Sequence, residues 1–389
     1  MKKKLNRKCP ICGYKKGMVL YKQKFILPKN YILPDSYDVV ACLFCNFVFA
    51  DVTVNQKIYD KYYAKMAKYD NAINKSDILR FKKISNIIRN LVKNKNTSIL
   101  DIGSGSGGLL IYLKKLGYNN LTALDPSKKL CHNLKKYNIK VCQGSIFNHN
   151  LKCKYEFIIL TGVLEHIYDI SRALIAIDSL IVNNGLILIE VPDASRYYKY
   201  CIKEEPFHYF NIEHINHFQK NSLRRLGFLY KFSEKKVIKT EVSISNKVKY
   251  PDIIFIYQKS NNVKKLKRYL KKDDIKEIKK YIEISKNNIK LNNIFNKTKN
   301  IKNAIIYGAG NFTLKMLANT YLGNINIYCF IDKDINKWGG EIKGAKIYGP
   351  EYLEKVPTNI PIIISSAVYS DEILNDLKKR NIKNKIILL

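Results

Sequence analysis

The stretch SILDIGSGSGGLL, residues 98–110, is an apolar run broken by a glycine loop and resumed as an apolar run. Glycines at 103, 105, 107 and 108 let a backbone turn sharply and approach a ligand, with a helix amino terminus behind them. Asp101 stands two residues before the first glycine, at the strand's carboxyl end. A carboxylate there repels a pyrophosphate but holds an ammonium group. Asp125 closes the next strand, NLTALD, where it can accept hydrogen bonds from both hydroxyls of a ribose. Outward from this loop, strand and helix signals alternate through GGLLIYLKKLG, PSKKLCHNLKKYN, IKVCQG, YEFIILTGV, DISRALIAIDSLIV and GLILIEVPD. The alternation predicts a parallel sheet covered on both faces. A helix is expected over 76–94, opened by Ser76 and Asp77 as caps. A second loop, AIIYGAGNFTLKML at 304–317, repeats the arrangement, with Asp332 of CFIDKD in the ribose-partner position.

The chain has 389 residues, enough for two or three cores, and 46% hydrophobic content, which excludes a disordered protein. The net charge of +37 points first to nucleic acid, but Lys, Asn, Ile and Tyr are abundant throughout and the excess is not focused. No specific nucleic-acid partner is therefore expected. No apolar run reaches the ~20 residues that span a bilayer, and MKKKLNRKCPICG lacks the core of a secretory signal. A cytoplasmic protein follows from this, its nine cysteines serving as metal ligands and buried thiols. The sequence leaves oligomeric state open.

Cys9 and Cys12 in CPICG, with Cys42 and Cys45 in CLFCN, make two C-x-x-C pairs. Four thiolates suit tetrahedral Zn2+ and leave no open position for a substrate, so the metal is read as structural. The expected organisation is a zinc-binding module at 1–70, an α/β core at 71–260, a Lys/Asn/Ile-rich helical connector at 261–302 and a second α/β domain at 303–389.

With LTGVLEHIYD after the fourth strand, the central region resembles class I S-adenosylmethionine-dependent methyltransferases. ILDIGSGSGG, LTALDPS and LTGVLEHIYD fall in that family's order and spacing. The resemblance implies that Asp101, Gly103 and Gly105 receive the methionine end, Asp125 the ribose, and the turn from Gln143 to Ser145 the adenine. A backbone slot near Thr161 and Gly162 completes that pocket. Glu165 and His166 are read as structural parts of their turn. The fold class is then α/β: a Rossmann-like methyltransferase core with a small N-terminal zinc module and a second C-terminal Rossmann-like domain.

The whole chain is similar to a narrower group, the sugar C-methyltransferases. KCPICG…VACLFCNFVF, IYDKYYAKMAKYDN, VLEHIYD, EVPD, IEHINHF and IIYGAGN…CFIDKD…GPEYL follow that group's order. The likeness implies methylation of a nucleotide-linked sugar beside a 4-keto group, through an enolate, in polysaccharide biosynthesis. PFHYFNIEHINHF, 206–218, is the segment expected to carry the chemistry, because histidine titrates near neutral pH and suits proton transfer. The group's E-H pair maps onto Glu213 and His214, making His214 the first choice as base, with Tyr209 beside it. His208 and His217 remain alternatives, as does a metal held by the three histidines. Tyr59, Tyr62, Tyr63 and Tyr69 either cover the sugar or dock the module.

Departures are local. Asn211 and Ile212 stand where the group has tyrosine and histidine, and GAGNFTLK and SSAVYS replace its last two turns. These leave methyl transfer intact but open the acceptor: an O-methyltransferase acting on a surface-glycan sugar, or an RNA methyltransferase, would use the same cofactor. The second glycine loop encloses the nucleotide end of a sugar substrate or binds nothing.

Overall fold

The computed structural model describes residues 1–65, 75–127, 134–244, 248–260, 271–291 and 294–389. Three sheets organise them. The central sheet has seven strands in the order Phe232–Ser243, Lys249–Lys259, Ile181–Pro192, Tyr155–Thr161, Ile99–Ile102, Leu121–Asp125, Lys140–Gln143. From Ile99–Ile102 the chain winds outward through two strands, returns, and winds the other way. The reversal between Ile99–Ile102 and Tyr155–Thr161 is a topological switch, and ligands bind at the carboxyl ends of strands there. Ile99, Leu100, Phe157, Ile158 and Ile159 are fully buried, as strands covered on both faces must be.

The sheet is parallel where the alternation of strands and helices predicts it, and it extends beyond those strands. Five strands are parallel, but Lys249–Lys259 runs antiparallel to Ile181–Pro192, and Phe232–Ser243 antiparallel to it. Residues 244–248 are too few for a crossover, so these two strands form a hairpin. The helix expected in DISRALIAIDSLIV stops at Leu180; Asp169 caps its start by accepting from Arg172 N at 3.1 Å, and Ile181 already pairs with Tyr155. The helix before the glycine loop is Lys75–Leu91, so Ser76 lies inside it and its hydroxyl donates to the Ile244 carbonyl instead of capping. Residues 128–133 of PSKKLCHNLKKYN and residues 261–270 of the connector lie outside the described residues. The connector's described part contains the helix Ile275–Leu291, whose Ile278 and Tyr281 are fully buried.

The third sheet has six strands, ordered Glu341–Ile342, Ala345–Tyr348, Asn326–Ile331, Asn303–Tyr307, Ile362–Ile364, Ile386–Leu388. It repeats the outward-and-back winding and is parallel except at its two-residue edge strand.

The amino-terminal sheet is antiparallel and has five strands: Lys2–Lys4, Lys16–Lys24, Ser36–Cys42, Val48–Asp51 and, from far along the chain, Asn216–His217. Asn216 pairs with Phe49 and His217 with Val48, and Ala50 N donates to the Ile215 carbonyl at 3.0 Å. The segment PFHYFNIEHINHF is thereby built into the sheet of the cysteine module. Arg7, 2% exposed, fastens the same junction. Its guanidinium donates to the carbonyls of Ile215 (3.3 Å), Ile167 (3.2 Å) and Tyr168, and packs 4.6 Å from the Tyr168 ring centre. Apolar side chains of this module, of residues 194–215 and of the C-terminal sheet share one continuous core.

Arg7→Met keeps the stem but strips three buried carbonyls of their donor. We expect a loss of about 2–4 kcal/mol in urea unfolding; an unchanged midpoint would show that the clamp contributes nothing.

Candidate active site

At the switch point, Asp101 is the next-to-last residue of its strand and Asp125 ends the neighbouring one. Gly103 takes φ +70 and a Cβ there would meet Val163 at 2.6 Å, whereas Gly105 takes φ +53 and faces open space. The loop is thus bare where a ligand would approach. Asp125 organises it: Oδ2 accepts from Gly105 N at 3.0 Å and Oδ1 from Ser127 N at 2.9 Å. Asp101 is 1% exposed, and its Oδ1 has no hydrogen-bond partner among the described residues. Burial, with the Asp125 charge beside it, pushes Asp101 up to about 8. An orphaned buried carboxyl oxygen beside an open glycine cradle fits a ligand that brings its own cationic donor. Gln143 ends the neighbouring strand, its amide 3.5 Å from the Pro126 carbonyl, and the Ser145 hydroxyl accepts from Phe147 N at 3.2 Å. Thr161 closes its strand, and Gly162 takes φ +68 with Arg80 close by.

Behind the loop lies a cluster of buried carboxyls. Burial pushes Glu165 and Asp252 up to about 8, and Arg80 pairs with Glu190, Nε to Oε2 at 3.0 Å. Glu165 Oε2 is also without a hydrogen-bond partner.

The segment 206–218 separates its three histidines. His217 is fully buried, edge-on to Phe210, and burial pushes it down to about 3, so it is a neutral core residue and not a base. His208 lies between Glu205 and the Tyr250 hydroxyl, its Nδ1 2.8 Å from Glu205 Oε1. His214 is half-buried and faces the ring of His166 edge-on, centroids 4.7 Å apart. The sequence reading gave His166 a structural part; the structure places it against His214. Its Nδ1 is 2.9 Å from the Tyr63 hydroxyl and 3.2 Å from the Glu213 carbonyl, and its Nε2 4.0 Å from Glu165 Oε1. A carbonyl only accepts, so a bond to Glu213 puts the proton on Nδ1 and leaves the Nε2 lone pair toward Glu165. Ligand atoms of Glu165, His166 and His214 all lie within 4.8 Å of one another, a grouping distinct from the three-histidine set considered from sequence. The missed signal was the juxtaposition of LEHI and IEHI, which no spacing along the chain reveals.

Glu213 Oε1 accepts from the Tyr62 hydroxyl at 3.0 Å, and Tyr62 and Tyr31 hydroxyls are 2.8 Å apart. Asn211 Oδ1 accepts from Glu213 N and His214 N, at 2.9 and 2.8 Å, and so fixes that turn. Tyr209 is placed elsewhere: it is 1% exposed, stacked on Tyr197 at 3.9 Å, and its hydroxyl donates to the Tyr200 carbonyl. That engagement makes it a packing residue and removes it from the reacting groups. Tyr59 is likewise core, and Tyr69 lies outside the described residues.

Cys9, Cys12, Cys42 and Cys45 bring their sulfurs within 4.8 Å of one another, with Cys9–Cys45 at 3.6 Å and Cys12–Cys42 at 3.5 Å. Tetrahedral coordination at about 2.3 Å places sulfurs about 3.8 Å apart, so the set fits a metal of that kind. At the second glycine loop, Asp332 Oδ2 accepts from Ala309 N and from Lys337 Nζ, both at 2.8 Å. The acid expected to hold a ribose is engaged by the chain itself. No described helix is long and apolar enough to cross a membrane.

Residues 77–228 match the family model of a methyltransferase domain, and residues 300–388 match a model described as C2185-like, N-terminal. The chain matches none of the curated proteins with which it was compared. Similar solved structures include a possible histamine N-methyltransferase of Thermotoga maritima, at 15% identity and TM-score 0.40, covering 52% of this chain and 100% of that one. N-methyltransferase NodS of Bradyrhizobium japonicum gives 12% identity and TM-score 0.39, covering 51% and 98%. A didemethyltoxoflavin N1-methyltransferase of Burkholderia thailandensis gives 15% and 0.41, covering 56% and 98%. At these scores the neighbours add no weight to the domain match.

Asp101 carries a pH test. Its folded value lies above the ordinary 3.8, so the folded chain holds the proton more tightly and protonation favours folding. This stabilisation is full below about 4, declines as pH rises, and is gone above about 8. Asp101→Asn should flatten that decline by at least about 1 kcal/mol between pH 5 and 8.5, read from urea midpoints; parallel profiles for the two proteins would contradict it. The chain thus carries a methyltransferase domain over residues 77–228.

Proposed function

We propose that the acceptor is a nucleotide-linked sugar methylated at carbon beside a 4-keto group. The observation that supports this is the meeting of His214, His166 and Glu213 with the hydroxyls of Tyr62 and Tyr63, close to the buried carboxyls at the switch point. Such a set can accept a proton and hold a polyhydroxylated substrate by hydrogen bonds. Asp101 would take the ammonium of S-adenosylmethionine, Asp125 its ribose, Gly103 and Gly105 the close approach, and Gln143, Ser145 and Thr161 the adenine side and slot. Bound there, the cofactor supplies an electrophilic methyl group.

His214 takes the proton from the carbon next to the ketone. The C–H electron pair moves into the new C=C bond and the carbonyl oxygen becomes the enolate oxygen. His166, with Nδ1 tied to Glu213 and Tyr63, holds the His214 ring on its edge. Tyr62, bonded to Glu213, keeps that carboxylate from turning toward the reacting carbon. The aromatic packing of Tyr31 and Tyr62 helps exclude water, which would quench the enolate. The four cysteines would hold a structural Zn2+, and the third sheet would enclose the nucleotide end.

The decisive experiment incubates the protein with labelled S-adenosylmethionine and a panel of nucleotide sugars that includes 4-keto forms, followed by mass spectrometry. A methyl group on carbon is expected; label on a sugar hydroxyl, or on RNA alone, would replace this reading. His214→Ala should lose at least about a hundredfold in turnover while cofactor affinity, measured calorimetrically, is retained; undiminished transfer would exclude His214 as base. Elemental analysis should find one zinc per chain, and Cys42→Ser should lose it together with methyl transfer, because Val48–Asp51 pairs with the strand beside His214. Full activity without zinc would overturn the structural assignment.

A further inference from the structure

Lys315, on the helix Asn311–Asn319 of the third sheet's unit, is 1% exposed. A buried ammonium needs partners, and these lie in another part of the fold. Its Nζ donates to the Phe207 carbonyl at 3.0 Å and stands 3.7 Å from Glu205 Oε1. That same oxygen is 2.8 Å from His208 Nδ1, and His208 Nε2 meets the Tyr250 hydroxyl. A network that starts in the C-terminal helix therefore ends in the sequence segment that carries Glu213 and His214.

The conformation it holds is an unfavourable one. Phe207 takes φ +56, a left-handed backbone that a bulky side chain rarely adopts, and it is 2% exposed. Its carbonyl receives both Phe210 N, at 3.0 Å, and the Lys315 ammonium. Its ring stacks on Tyr21 of the cysteine module at 4.0 Å. One turn later Asn211 fixes Glu213 and His214. Buried ion pairs are seldom the most stable filling of a core, since apolar side chains of similar volume often serve as well or better. What the pair supplies here, and an apolar residue would not, is a donor aimed at the Phe207 carbonyl.

We propose that Lys315 is a positioning residue of the methyl-transfer site, acting through Glu205 and the Phe207 carbonyl on the turn that presents His214. The C-terminal unit then sets the geometry of the proton-transfer group as well as packing beside it. This inference rests on the reading of His214 as the base, and its test keeps the two apart.

Two variants serve: Lys315→Met, and Lys315→Met combined with Glu205→Gln. The double variant removes the buried carboxylate that the single one leaves with His208 alone beside it, so its thermal unfolding should return toward that of the unaltered chain. Turnover should nevertheless remain down about tenfold to a hundredfold in both, with S-adenosylmethionine affinity within about twofold. Histidine ring NMR, tractable with six histidines in the chain, needs no acceptor. The His214 and His166 signals should move in both variants. Recovery of turnover together with stability would reduce Lys315 to a structural role. Shifts confined to His208, with His214 and His166 unmoved, would overturn the proposal even if no acceptor had been found. Methyl transfer surviving His214→Ala would sink the base assignment instead, leaving the ring signals to decide on Lys315.

Discussion

The pairing of Asn216–His217 with Val48–Phe49 is the contact on which the rest of the site depends. It takes a segment that follows the central sheet in sequence and makes it the edge strand of the cysteine module's sheet. Isolated, a two-residue strand has almost no stability of its own. It persists because Arg7 and the Asn216 amide saturate the carbonyls around it, the amide donating to the Leu164, Glu165 and Ile167 carbonyls. The turn that contains His166 and the turn that contains His214 are therefore fixed by the same few donors. Their rings meet because their backbones are tied together.

This arrangement joins the small module with four cysteines to the segment that carries Glu213 and His214. A four-strand antiparallel sheet with tight cysteine turns has little core of its own, and cross-linking its turns through one ion is an economical way to stiffen it. Stiffness there passes directly to the strand beside His214. The third sheet's unit contributes through Lys315, so the segment 205–218 is gripped by three parts of the molecule. Support from several elements holds the turn that carries Glu213 and His214 in one geometry.

Electrostatics divides the site in two. Around the first glycine loop, Asp101, Glu165 and Asp252 are buried with few compensating cations, and each is driven toward its neutral form. An arriving ammonium or sulfonium repays that cost by restoring a carboxylate. Around the second loop Asp332, the counterpart of Asp125, accepts from the loop's own amide as Asp125 does, and holds Lys337 besides. Two loops with nearly the same sequence pattern thus present different fields, because a lysine stands on the acid of the second.

Much of this was legible in the sequence. Strand–glycine–helix–strand–acid patterns fixed the parallel parts of both larger sheets, because those signals are local and their periodicity reflects burial on two faces. Each C-x-x-C spacing announced a local pair of sulfurs, and the fold brings the two pairs together, Cys9 to Cys45 and Cys12 to Cys42. The antiparallel hairpin Phe232–Ser243 and Lys249–Lys259 was not foreseen, since an apolar run such as PDIIFIYQKS reads alike in either direction. Nor did sequence distinguish the three histidines of PFHYFNIEHINHF. Which one sits in the core, which between Glu205 and Tyr250 and which against His166 depends on contacts that the segment alone does not specify. Residue types and local spacing determined what chemistry was on offer. Long-range packing alone decided which groups were brought together to perform it, because burial and partner geometry, which set a group's charge and orientation, exist only once the chain has folded.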